Sequence, residues 1–119
     1  MIQIITTLRI TIRPSVDVPF YQWSESFISY TEENYVKTKK LIGYKIILSD
    51  DTLTETRRAA WTSFSDFQDF ISSPSGSNEW LAREEYQYKN NITSTIQTNS
   101  TIVESLEQIT SNSTVNLRN

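Results

Sequence analysis

The chemistry open to this chain is bounded first by two residue types that it lacks. Its 119 residues include no His and no Cys. Imidazole-based nucleophile systems, HExxH zinc sites, haem ligation through a proximal imidazole, disulfides and thiolate chemistry are therefore excluded. Two glycines, Gly43 and Gly76, are too few for a glycine-rich phosphate loop. Carboxylates, amides, aromatic rings and guanidinium groups remain. The acidic pairs Glu32-Glu33, Asp50-Asp51 and Glu84-Glu85 invite a general-acid or metal reading. Adjacent residues diverge by about 100° on a helix and point to opposite faces of a strand, so neither partner converges with its neighbour. These pairs read as solvated surface, with Asp50-Asp51 as a hairpin turn, and no metal site is expected. Arg57-Arg58 splits across a strand in the same way, leaving one Arg to meet an anion or to enter a dimer interface. Lys37, Lys39 and Lys40 complement the end of a helix; with a net charge of -3, nucleic acid is not an expected partner.

The elements that must position these groups follow from hydrophobic spacing. From Ile2 to Ile12 the sequence keeps a strict period of two, with Ile2, Ile4, Leu8, Ile10 and Ile12 on an expected buried face and Gln3, Ile5, Thr7, Arg9 and Thr11 on a wetter one. Asp17 and Pro19 start a predicted helix over residues 18–37, whose stripe is Phe20, Trp23, Phe27 and Tyr30. Asn34 continues that stripe, and an inward amide needs partners, which marks it as a candidate. A hairpin is predicted from Ile42–Leu48 and Leu53–Trp61, a short helix over 66–72 from the Ser65/Gln68 capping box, a break at Ser73-Pro74-Ser75-Gly76-Ser77, a helix over 78–89 and a weaker strand over 92–98. The order βαββαβ is ferredoxin-like: α+β, with a four-stranded antiparallel sheet and helices on one face. The open face of such a sheet is expected to bury a second copy.

Leu, Ile, Val and Phe total 31 of the 119 residues, enough for one lean core, and a lean core gains by burying more surface against a partner. A domain over 1–98 is followed by a polar extension, 99–119, in which Thr101 and Glu104 suggest a short helix carrying Ile102, Leu106 and Ile109. The first residues form no secretory signal, and runs such as Ile46-Ile47-Leu48 fall far short of the roughly 20 residues of a membrane helix. A soluble protein, cytoplasmic or virion-associated, is expected. Three Asn-x-Ser/Thr triplets, starting at Asn91, Asn99 and Asn112, are what a chain rich in Ser and Thr gives by chance.

The long first strand, the aromatic helix, Gly43-Tyr44 opening the second strand, and the run from Trp61 through Phe64 and Phe67 to Phe70 resemble the dimeric α+β barrel superfamily. The likeness covers residues 2–98 and is nearest to the antibiotic biosynthesis monooxygenase-like branch. It implies two ferredoxin-like subunits paired sheet to sheet and, in some members, oxidation of aromatic small molecules or degradation of haem. The lack of His argues against the haem-degrading version. The resemblance further implies a ligand site of Trp23, Tyr44 and Trp61 around a flat substrate, with Asn34 and Trp61 in catalytic positions. The competing reading packs these aromatic residues into the core.

Two functions follow. Missing catalytic residue types, the lean core and the polar extension favour a non-catalytic homo-oligomeric interaction or structural module, for example a component of a viral or phage assembly. That protein is not an enzyme, needs no cofactor, and has Ile5, Ile102, Leu106 and Ile109 as interface residues. The alternative is a cofactor-independent monooxygenase or small aromatic ligand-binding protein. A filled core between helices and sheet favours the first, and an open apolar pocket with a convergent amide favours the second.

Overall fold

The computed structural model describes residues 2–103 and 115–117. Strand β1, Ile2–Ile12, lies inside a four-stranded sheet of order β2-β3-β1-β4, with β2 at Leu41–Leu48, β3 at Thr54–Trp61 and β4 at Thr93–Val103. All neighbouring strands are antiparallel, so the expected ferredoxin-like α+β fold is the one observed. The β2–β3 hairpin turns where Asp50-Asp51 predicts it: Asp51 Oδ1 accepts from Ser49 Oγ at 2.6 Å and from the Leu53 backbone N–H at 3.0 Å.

The β1 period is as expected, but from Thr6 to Ile12 the assignment of its faces is reversed, while Ile4 is buried on the face expected. Register places Ile5 beside Trp61, Thr7 beside Ala59, Arg9 beside Arg57 and Thr11 beside Glu55, and this is the side that the helices cover. Thr6, Leu8, Ile10 and Ile12 lie on the open face, where Ile12 and, on β2, Ile47 are 49% and 47% exposed. Periodicity separates two faces without saying which one meets the helices, and the polar residues here lie beneath the aromatic layer. Ile5, expected at an interface, is instead in the core with Ile28, Tyr35, Tyr44 and Trp61.

The helix expected over 18–37 is shorter. α1 spans Glu25–Thr31, and a π-helical turn, Glu32–Val36, follows it. Ser24 caps α1, its Oγ accepting from Phe27 N–H at 3.3 Å. Phe20 and Trp23 precede the cap, so their helical spacing is coincidental. α2, Phe64–Ser72, is capped by Ser63, and α3, Pro74–Lys89, starts four residues before the expected point. The supposed break is a helix start: Ser73 is the N-cap, Pro74 takes a position where its missing N–H costs nothing, and Ser73 Oγ accepts from Gly76 N–H at 3.0 Å.

β4 pairs with the whole of β1, from Ile12 beside Thr93 to Ile2 beside Val103. It passes through Thr101, where a helix was expected, and Ile102 is an exposed strand residue. Leu106 and Ile109 lie outside the described residues. Val115 makes a parallel bridge to Tyr44 on the free edge of β2, and Leu117 is buried, so this part of the C-terminal segment docks on the body. No helix among the described residues is long and apolar enough to cross a membrane.

Candidate functional site

Four rows of side chains cross the helix-covered face of the sheet. They run Leu41–Trp61–Ile5–Ser100, Tyr44–Ala59–Thr7–Thr98, Ile46–Arg57–Arg9–Ile96 and Leu48–Glu55–Thr11–Ser94. Small residues in the second row, Ala59 and Thr7, leave room that the helices do not fill. The result is a cavity of about 620 Å³ between sheet and helices, a size typical of small-molecule sites. Trp61, Phe67 and Phe70 wall one end, with Trp61 and Phe70 ring centroids 4.9 Å apart; Trp23, Phe27, Tyr44, Trp80 and Leu117 line the rest.

Trp23, Tyr44 and Trp61, the three residues of the candidate ligand site, all line this cavity. Trp23 Nε1 donates to Tyr44 Oη at 3.0 Å, and Arg57 Nη1 donates to the same oxygen at 3.4 Å. With two donors already on the oxygen, the Tyr44 hydroxyl is left to donate its own proton, which a ligand oxygen in the cavity can accept. Asn34 is not there. It is exposed, with Nδ2 donating to the Tyr30 carbonyl at 2.9 Å. The cause is the π-turn: Lys37 N–H bonds to Glu32 O and Lys40 N–H to Tyr35 O, five residues back instead of four. This wider turn carries Tyr35 inward onto Trp61 and Phe70 and leaves Asn34 in solvent. Thr31, fully buried, takes the inward place after Phe27, and its Oγ1 has no hydrogen-bond partner among the described residues.

The residues least visible in the sequence are the cations. Arg9, Arg57 and Arg83 are buried and line the cavity. Trp80 and Trp23 alternate with them. Arg9 and Arg83 each lie 4.6 Å from the Trp80 ring centroid, while Arg83 and Arg57 each lie 5.1 Å from that of Trp23. Arg57 is compensated: Glu55 Oε1 accepts from its Nε at 2.5 Å, and the Tyr21 carbonyl accepts from Nη2 at 2.6 Å. Burial works against its charge, but Tyr44 and Glu55 outweigh that and hold Arg57 above the ordinary arginine value. Arg9 donates from Nη1 to Ser94 Oγ at 2.9 Å, and burial holds it below the ordinary value, with the Arg57 charge adding to the effect against Glu84 and Tyr44. Arg83, 4% exposed, has an Nε with no partner among the described residues. Burial first, then the charges of Arg9 and Arg57, push it down to about 10, so it is still a full cation at neutral pH.

The other buried carboxylate does not neutralise these two. Glu79 accepts from Ser24 N–H at 2.8 Å and from Ser24 Oγ at 3.0 Å, which ties α3 to the start of α1. No carboxylate among the described residues is within ion-pair distance of Arg9 or Arg83. Because both sit 4.6 Å from one ring centroid, they are within about 9 Å of each other, where like charges repel by about 2 kcal/mol at an effective dielectric near 20. Cation–π contacts contribute about 2 kcal/mol each when desolvated, against several for the burial of each ion. The rings hold the guanidinium groups in place without neutralising them. Two signals in the sequence point here: Arg9 interrupts an apolar strand, and Arg83 follows Trp80 at helical spacing.

No protein-family model matches the sequence, and no curated protein matches it. Solved structures do share its fold. A candidate antibiotic biosynthesis monooxygenase from Caulobacter crescentus superposes with a TM-score of 0.62 at 9% identity, over 86% of this chain and 92% of that one. SnoaB, a cofactor-independent oxygenase from Streptomyces nogalater, gives 0.54 at 14% identity, over 88% and 96%. A conserved protein from Methanosarcina mazei gives 0.56 at 14%, over 83% and 92%. The fold is thus that of the antibiotic biosynthesis monooxygenase-type α+β barrel proteins. The expectation of a non-catalytic structural module, with its viral or phage version and its exclusion of enzymatic activity, is overturned. The space between helices and sheet is an open cavity where that module needs a filled core, and the similar structures include oxygenases.

Proposed function

We propose that this chain binds a flat aromatic small molecule between its helices and its sheet and oxidises it with dioxygen as a cofactor-independent monooxygenase. One observation carries the reading: a cavity of about 620 Å³ whose wall is largely the aromatic side chains of Trp23, Phe27, Tyr44, Trp61, Phe67 and Phe70. Offset stacking against these rings suits a planar ligand of two or three rings, and the Tyr44 hydroxyl orients a ligand oxygen. Asn34 has no part in this version, so Tyr44 takes the positioning role and Trp61 the stacking role. The chemistry suits an electron-rich aromatic that supplies its own electrons. An activated ring methylene is oxidised to a carbonyl, one atom of dioxygen becoming the carbonyl oxygen and the other leaving as water with the two hydrogens. The fold, together with the exposed Leu8–Ile12 face, supports pairing with a second copy, sheet to sheet.

The test is dioxygen uptake by the purified protein with a panel of two- and three-ring phenols, in the presence of a chelator and without added flavin. The expected result is one dioxygen consumed per carbonyl product and loss of turnover in Trp61→Ala. Ligand binding without uptake across the panel would restrict the function to binding; absence of binding would overturn the reading.

A further inference from the structure

The two ends of the cavity differ in kind. Trp61, Phe67 and Phe70 make one end aromatic, while Arg9 and Arg83 make the other cationic. On β1 the row of Ile5 and the row of Arg9 are four residues apart, about 13 Å at the rise of a strand. That span suits a molecule with two or three fused rings and a charged group at one end. Arg9 and Arg57 face each other directly across β1 and β3, an arrangement of like charges that weakens a sheet unless something else is gained. Glu55 compensates Arg57 alone. The Arg83 Nε is buried and unpartnered among the described residues, and Arg83 is one of the residues that line the cavity.

We infer that the molecule taken by this cavity is an aromatic carboxylate, with its rings against Trp61, Phe67 and Phe70 and its carboxylate between Arg9 and Arg83. The inference rests on the aromatic-binding reading above and adds the ligand's charge and orientation. A guanidinium offers a planar fork of donors that matches the two oxygens of a carboxylate. Trp80, in contact with both cations, fixes their planes before the ligand arrives, so little side-chain entropy is left to lose on binding. Glu84 acts on Arg9 and Arg83 only from a distance, and the anion supplies the direct ion pair that no described carboxylate gives either of them.

Binding of naphthalene carboxylate and of its neutral isostere, naphthalene carboxamide, tests this, read by calorimetry and by tryptophan quenching on the full chain. The carboxylate is expected to bind at least about tenfold tighter. Arg83→Met and Arg9→Met are each expected to remove about tenfold or more from the carboxylate while leaving the carboxamide within about twofold; a purely structural arginine would weaken both ligands alike. Arg83→Lys, which keeps the charge but not the fork, is expected to fall between. The comparison on the unaltered protein decides the matter even if a variant fails to fold. Equal affinity for the two ligands would overturn the anion subsite and leave the aromatic site standing. No binding of either would overturn the aromatic reading itself. Naphthyl phosphate binding more than about tenfold tighter than the carboxylate would overturn the carboxylate class in favour of a phosphate ester.

Discussion

A cation held out of water without a carboxylate beside it lowers the stability of the protein that holds it, and Arg83 recovers only part of that cost from the rings of Trp23 and Trp80. Arg83→Met should therefore leave the ligand-free protein as stable as before or more so, by up to about 2 kcal/mol, equivalent to several degrees in Tm for a domain of this size. Denaturant melts check this, and a clear loss of stability would make the guanidinium a structural prop. Tyr35 makes an opposite case, in which burial favours the neutral form. Its phenol is pushed up to about 12, first by burial and then by its hydrogen bond with Tyr30, whereas in the unfolded chain it titrates near 10. The folded state keeps the proton longer, so the stabilisation is complete below pH 10 and is lost as the pH climbs from there to about 12. Tyr35→Phe removes this dependence. Its denaturation midpoint should fall less than that of the parent across the same window, with Tyr21, also raised by burial, leaving a residual slope in both.

At the scale of elements, the junction of α2 and α3 decides where Trp80 and Arg83 stand. A Cβ added at Gly76 would lie 2.2 Å from the Phe70 carbonyl oxygen, a backbone atom that cannot rotate away. Gly76→Ala should force the two helices apart at a cost of about 1–3 kcal/mol and weaken aromatic binding through the displaced Trp80, as denaturant melts and tryptophan quenching would show. The sequence led to this junction by the wrong route, because Ser-Pro-Ser-Gly reads equally as a break and as a cap followed by Pro at the first helical position. The strands were legible because alternation of Ile and Thr is a local signal, and the βαββαβ order followed from them. The orientation of β1 was not, since only the helices packed above decide which face is covered. Asn34 was misplaced for a related reason: a π-turn adds a residue to the helical register, and nothing in Glu32-Glu33-Asn34 announces it. Trp23, Tyr44 and Trp61 reached the cavity through a family resemblance, while Arg9 and Arg83 meet only through tertiary packing around Trp80.

The sheet has one face under its helices and another on which Ile4 is buried while Ile12 and Ile47 are half-exposed, and the state of assembly turns on the exposed part of that second face. The rows that cross that face include Ile47–Thr56–Ile10–Thr95 and Lys45–Arg58–Leu8–Gln97, with Ile12 beyond them between Thr54 and Thr93. Leu8 and Ile10 are half-buried already, and Ile12 and Ile47 half-exposed, so each copy has four large aliphatic side chains with area still to bury. Completing the burial of eight such side chains in a pair contributes about 6–10 kcal/mol, against an association cost of about 4–15 kcal/mol. At the favourable end of both ranges about 6 kcal/mol remains, which gives a sheet-to-sheet dimer a Kd of some tens of micromolar, where a single charge can tip it. Ile10→Lys puts one ammonium per copy near the centre of the interface, beside the cations Lys45 and Arg58, and each must be desolvated on pairing. Because Ile10 lies on the open side of the sheet, the subunit should keep its denaturant stability within about 1 kcal/mol while the dimer is lost. Light scattering at several hundred micromolar is expected to approach the mass of two chains for the parent and to give that of one for Ile10→Lys, with aromatic binding in the helix-side cavity unchanged. A parent of single-chain mass, or a variant that still pairs, would mean that the open face is not the surface that joins two copies.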